Sequence, residues 1–156
     1  RQVLEQGAIA GYPFTDVRAA VCDGKSHPVD SKDIAFQIAG REAFKEAVRG
    51  ARPCLLEPIM DLEITIPVRY MGDVSGDLST RRGRIQGMDQ DGELQVIKAQ
   101  APLSEVQRYS TQLRSITGGQ GSYTISLARY DPVPSNVAEQ VIARARQTQT
   151  QAKEAK

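Results

Sequence analysis

Apolar and polar positions alternate most cleanly over Asp61–Pro67, where Leu62, Ile64 and Ile66 fall on one side of the chain. A period of two residues is the mark of a half-buried strand. Met71, Val74 and Leu78 follow at helical spacing, with Gly72 and Gly76 weakening that helix but permitting close packing. Arg84–Met88 reads as a strand, Asp89-Gln90-Asp91-Gly92 as a turn, and Leu94–Ala99 as its hairpin partner. Leu103, Val106, Ser110 and Leu113 give a second helix starting after Pro102, and the glycine-rich Gly118-Gly119-Gln120-Gly121 leads into a strand carrying Tyr123, Ile125 and Leu127. The order β-α-β-β-α-β is the split βαβ, ferredoxin-like arrangement.

The pattern before residue 58 is looser. Arg1–Glu5 reads as the last turns of a helix ending at Gly7, so the chain looks like a piece of something longer. Thr15–Cys22 is an expected strand with Val17, Ala19 and Val21 on one face, broken by Asp23-Gly24-Lys25. Asp30 and Ser31 are suitable caps for a helix that runs to about Arg49 and stops at Gly50. Its stripe of Phe36, Ala39, Gly40, Ala43, Phe44 and Ala47 suggests close approach to a sheet, and Cys54–Leu56 is extended. After Pro132 and Pro134, residues 136–146 are helical with Val137, Val141 and Ile142 on one side, and the polar tail from Gln147 is expected to be disordered. The fold class is therefore α+β: a strand-helix-strand on a small sheet, then the ferredoxin-like part, then a terminal helix.

Composition narrows the chemistry. Of 156 residues, 40% are hydrophobic and 25% charged, the balance of an ordinary globular chain, and no long apolar run suggests a membrane span. Twenty Lys and Arg against 19 Asp and Glu give a net charge of +1, so any nucleic-acid contact must come from local clustering. Cys22 and Cys54 are far apart in apolar stretches and, with a single histidine, make a poor zinc site. They are expected to be reduced, buried thiols in a cytoplasmic protein. No metal site, catalytic constellation or phosphate loop is present in the sequence.

Three local features suit nucleic acid. Arg81, Arg82 and Arg84 set three guanidinium groups beside a helix end, where phosphate contact competes with simple compensation of the helix dipole. Arg114, Ser115 and Thr117, running into Gly118 and Gln120, combine a cation, hydroxyls and exposed backbone N–H groups, a mixture that serves RNA backbone or a helix cap. The only histidine, His27, lies on the turn Lys25-Ser26-His27-Pro28, where an imidazole can bond to or stack on a nucleobase and proline limits the turn's freedom.

Gly11-Tyr12-Pro13-Phe14-Thr15-Asp16-Val17, Ser26-His27-Pro28-Val29-Asp30-Ser31, Leu56-Glu57-Pro58-Ile59-Met60, Tyr70-Met71-Gly72-Asp73-Val74 and Arg81-Arg82-Gly83 occur in order. Together with Gln95–Ala99, Leu113-Arg114-Ser115 and Val133-Pro134 they resemble the C-terminal part of bacterial elongation factor G over residues 7–145. The resemblance implies the later part of the family's domain IV in residues 1–57, with a tip loop at 24–31, and the ferredoxin-like domain V in 58–133. Residues 134–156 would be a C-terminal helix and polar tail.

It also implies a cytoplasmic, monomeric translational GTPase that moves tRNA and mRNA on the ribosome. GTP and Mg2+ would be held upstream, and this stretch itself would be neither enzyme nor cofactor binder. Lys25, Ser26, His27 and Pro28 would touch tRNA–mRNA in the small-subunit decoding region. Arg81, Arg82, Arg84, Arg114, Ser115, Thr117, Gly118 and Gln120 would touch large-subunit RNA near the stalk base and the sarcin–ricin loop. Three positions depart from the family's pattern: Pro28 replaces an acidic residue, Gln120 an arginine and Thr80 an arginine. They admit a paralogue specialised for ribosome recycling. Two other readings are a ferredoxin-like metabolite sensor and a ribosome-binding inhibitor that works without a GTPase.

Overall fold

The computed structural model describes residues 2–28 and 31–154. These divide into two compact units, one of residues 1–55 with 134–156 and one of residues 56–133.

The second unit carries the sheet. Strand β1, Leu56–Pro67, is followed by a 3-10 turn, Val68–Tyr70, and helix α3, Met71–Thr80 (α1 and α2 belong to the first unit). Strands β2, Arg84–Asp91, and β3, Leu94–Pro102, form the hairpin. Helices α4, Leu103–Val106, and α5, Tyr109–Thr117, precede strand β4, Ser122–Pro132. The four strands are antiparallel in the order β2-β3-β1-β4, the ferredoxin-like order. Leu62 faces Ala99 and Ile125 across its two neighbours, and Ile64 faces Ile97 and Tyr123, so one face of the sheet is continuously apolar. That face packs with Val74 and Leu78 of α3, Val106 of α4, and Tyr109 and Leu113 of α5, all at most 2% exposed. Each such side chain contributes roughly 1.5–3 kcal/mol by leaving water.

Several expectations in this unit need adjustment. The turn lies at Gly92-Glu93 rather than at 89–92, because Asp91 and Leu94 already pair across the hairpin and Gly92 supplies the positive φ of 58°. The single helix expected from Leu103 is two, separated at Gln107-Arg108, and Tyr109 rather than Ser110 takes the core position.

The first unit is helical. Helix α1, Gln2–Gln6, ends at Gly7 (φ 69°), whose N–H bonds to Val3 O, and the Phe14 N–H donates to Leu4 O at 2.8 Å. Helix α2, Asp33–Gly50, meets this segment through Phe14 and Phe44, whose rings are edge-to-face at 5.5 Å. Helix α6, Ser135–Glu154, starts with Pro134 O accepting the Val137 and Ala138 N–H groups. Val137, Val141 and Ile142 are half-buried, as their spacing suggests.

Here the sequence reading is corrected more heavily. Thr15–Cys22 is irregular and exposed, with Val21 93% exposed, because no described segment pairs with it and an unpaired strand has no ladder to satisfy its backbone. The small sheet of this unit is therefore not formed among the described residues. On α2 the more buried stripe is Arg41, Phe44, Lys45 and Val48, while Phe36 is 49% exposed. Cys22 and Cys54 are both exposed, for the same lack of a covering layer. The expected disordered tail is helical as far as Glu154. The Asp30 cap lies outside the described residues; Lys32 occupies the cap position, without a side-chain bond.

Candidate nucleic-acid interface

The His27 turn lies in an irregular stretch. Lys25, Ser26, His27 and Pro28 are all exposed. The turn is fastened at both ends by side chains bonding to backbone: the Gly24 N–H donates to Asp23 Oδ1 at 2.7 Å, and the His27 N–H donates to Ser31 Oγ at 2.5 Å. Ser31 lies two residues before α2, so the turn is tied to the entry of a regular helix. Such local side-chain bonds substitute for a ladder and limit the conformations of a loop. Val29 and Asp30, the remainder of the expected tip, lie outside the described residues.

The arginine cluster after α3 faces inward for the most part. Arg81 donates from Nε and Nη2 to the two carboxylate oxygens of Asp77, at 2.8 and 3.2 Å, and from Nη1 to Glu105 O at 3.0 Å. Its guanidinium also lies 5.8 Å from the Tyr109 ring centre. Arg82 makes a two-pronged contact with Glu57 and a longer one, 3.4 Å, with Glu105. Hydrogen bonding to Asp77 and to Glu57, respectively, pushes both guanidinium groups further above their already high range. Their charge is thus matched by acids of the same unit, which tie α3, β1 and α4 together. Arg84 opens β2, is exposed, and has no side-chain hydrogen bond among the described residues.

The α5–β4 loop is built by glycine. Gly118 closes α5 in the left-handed region (φ 60°), Gly119 continues at φ 85°, and the Gly119 N–H donates to Arg114 O at 2.9 Å. Positive φ is strained for other residues, so glycine is what lets the helix stop and the strand start within four residues. Gly121 allows a close approach: a Cβ there would lie 3.0 Å from Leu113 Cγ and 3.1 Å from Ile66 Cγ2. Arg114, Ser115, Gly118 and Gln120 are exposed together on this loop. Thr117 is not. It is fully buried with its hydroxyl donating to Leu113 O at 2.7 Å, which removes it from any external contact.

One neighbour of the loop was missed in the sequence. Arg69, in the 3-10 turn after β1, donates from Nη2 to Gln120 Oε1 and stacks its guanidinium 4.8 Å from the centre of the Tyr70 ring. The partners are 51 positions apart, and only the pairing of β1 with β4 could have signalled that they meet.

The open sheet face bears a shallow depression of about 330 Å³ lined mainly by the polar Asp61, Glu63, Gln86, Lys98, Thr124 and Ser126, with Leu62 and Ala99 also in its lining. Lys98 there is paired with Asp89 at 3.0 Å. Small-molecule sites are mostly apolar clefts with a few polar groups, and this lining is the reverse. Among the described residues, no group of three or more His, Cys, Asp or Glu is arranged to hold a metal, and no helix is long and apolar enough to cross a membrane.

Two family models match successive parts of the chain: one for domain IV of elongation factor G over residues 1–52, and one for the elongation factor G C-terminus over residues 54–141. Elongation factor G of Aquifex pyrophilus is 49% identical over 142 residues, which cover 91% of this chain and 20% of that protein. A crystal structure of a Thermus thermophilus protein superposes with a TM-score of 0.78 at 43% identity, covering 94% of this chain and 22% of that one. The chain thus spans about a fifth of the length of these relatives.

Proposed function

The chain belongs to the elongation factor G family, and from that premise we propose that it is the ribosome-contacting C-terminal part of a translational GTPase that moves tRNA and mRNA. Residues 1–57 correspond in this reading to the end of domain IV, 58–133 to domain V, and 134–156 to a C-terminal helix. The parent acts in the cytoplasm as a monomer. GTP and Mg2+ belong to the parts of the parent outside this chain: no phosphate-loop motif occurs here, and Gly118–Gly121 ends a helix where a nucleotide loop would begin one.

The work of these residues is contact and hydrogen bonding. The His27 turn, exposed yet tied to Ser31, offers an imidazole and the adjoining Lys25 and Ser26 to the backbone and grooves of paired RNA. Arg114 and Ser115 offer a cation and a hydroxyl donor to large-subunit RNA phosphates, the N–H groups of Gly118, Gly119 and Gln120 being engaged by Arg114 O and Thr117 O. Arg81 and Arg82 take a structural part in this scheme through Asp77, Glu57 and Glu105, leaving Arg84 as the exposed cation of that cluster. The observation that carries the proposal is the exposure of both loops in a chain that one family matches along two successive segments.

The test is His27→Ala in the full-length protein. Translocation is expected to slow by about tenfold, a barrier increase of about 1.4 kcal/mol, while ribosome-stimulated GTP hydrolysis stays near its original rate. A parallel collapse of hydrolysis would show that the turn is not a separate tRNA–mRNA contact.

A further inference from the structure

We propose that Arg69 is a second cation of the α5–β4 loop and contacts an RNA phosphate alongside Arg114. This rests on reading that loop as an RNA contact, and it adds a residue from a different part of the chain.

The topology brings the two segments together. Thr65 near the end of β1 pairs with Ser122 at the start of β4, so the 3-10 turn that follows β1 and the glycine loop that precedes β4 share one rim of the sheet. The contact between Arg69 and Gln120 bridges them. Tyr70 adds a second tie: its hydroxyl lies 3.9 Å from where a Gly118 Cβ would stand, and its ring packs against the core.

The state of the Arg69 side chain separates it from the carboxylate-paired arginines of this unit. Arg81, Arg82 and Arg129 are each paired with a carboxylate. Arg69 is exposed and pairs with no carboxylate among the described residues; its polar partner is the neutral Gln120 amide. Its charge therefore stays available for an outside partner. A guanidinium has five N–H donors, and Gln120 engages Nη2 alone, so a fork remains for a bidentate phosphate contact. The group is also held in place, by the amide on one edge and the Tyr70 ring on its face. A cation already positioned loses less freedom on binding than a mobile one. Arg114, likewise exposed and without a carboxylate partner among the described residues, sits on the last turn of α5 and gives the loop its other positive group. Two unneutralised guanidinium groups beside the exposed glycine loop suit a run of phosphates. The exposed Ser115 hydroxyl suits a phosphate oxygen as well.

The experiment uses the full-length protein and purified ribosomes, with equilibrium binding measured across a salt series. Removing the cation from one phosphate should reduce the slope of log K against log salt by about 0.7–0.9. Arg69→Ala is expected to reduce the slope by that amount, and Arg69→Lys, which keeps the charge, to restore it. If Arg69→Ala keeps the original slope while Arg114→Ala reduces it, the loop is an RNA contact and Arg69 has no part in it. If neither variant changes the slope, the RNA-contact reading of the loop falls and this inference with it. A reduced slope that Arg69→Lys fails to restore would make Arg69 a brace for Gln120 and overturn the phosphate contact.

Discussion

Arg82 donates to both carboxylate oxygens of Glu57, at 2.8 and 2.7 Å, and so joins the turn after α3 to the first strand of the sheet. Both side chains are largely shielded, 29% and 13% exposed. Removing Arg82 leaves Glu57 without its match in a partly dry site, and removing Glu57 leaves Arg82 with only its longer contact to Glu105.

Arg82→Ala is accordingly expected to destabilise the fold by about 2 kcal/mol, and Glu57→Gln by a similar amount. The double variant should lose less than the sum, because the second change removes a group already stranded. Arg82 also holds a φ of 56°, a strained conformation for any residue but glycine. Arg82→Gly should therefore be about 1 kcal/mol more stable than Arg82→Ala. Urea denaturation of the four variants measures all of this, and strictly additive losses would mean the pair is not coupled.

Alkaline pH probes the core. Tyr109 is fully buried, and burial is the largest cause of a phenol pKa well above the ordinary value; the charge of Asp77 pushes the same way. The folded state then keeps its proton to higher pH than the unfolded state, whose phenols titrate near about 10. Stability from this group is intact below that pH and falls as pH rises beyond it, by up to about 1.4 kcal/mol per pH unit. Tyr109→Phe should flatten the decline that sets in above about pH 10. Because the Tyr109 hydroxyl has no hydrogen-bond partner among the described residues, the same variant should be equal to or about 1 kcal/mol above the parent near neutral pH. An unchanged alkaline slope in the denaturation series would contradict the assignment.

Two glycines should respond differently to a methyl group. A Cβ on Gly83 would lie 2.6 Å from the backbone oxygen of Leu78, which helix α3 holds in place, whereas on Gly121 it would meet side-chain atoms at 3.0–3.1 Å. Gly83→Ala is expected to cost about 3 kcal/mol and Gly121→Ala about 1 kcal/mol, since side chains yield where backbone does not. The order of the two denaturation midpoints decides the matter; a reversed order would mean the α3 turn relaxes freely.

What the sequence discloses follows how local the cause is. Leu62, Ile64 and Ile66 show their strand because alternation and burial act on neighbouring residues, and the order of elements then limits the topology to very few choices. Thr15–Cys22 has the same alternation on a weaker scale, but a strand also requires a second strand, and that requirement is not written within the segment. The exposed cysteines fail for a related reason: residue type sets a preference for burial, and the covering layer sets the outcome. At the candidate interface, the His27 turn and the glycine loop were readable from turn chemistry alone. The inward tie of Arg82 was not, because Glu57 and Glu105 reach it from 25 and 23 positions away, whereas Arg81 pairs with Asp77 at a helical spacing of four that the sequence does contain. Thr117 looked like a loop hydroxyl and is a helix residue turned inward, one turn after Leu113.

The second unit begins and ends on one rung, Leu56 facing Pro132 across adjacent antiparallel strands. A pull applied to the chain on either side of it therefore acts on a single terminal pair of the β1–β4 ladder at a time, peeling the strands apart like a zipper instead of shearing the whole ladder at once. Its mechanical weak point is built into the order of the strands, whatever the strength of the core beneath them.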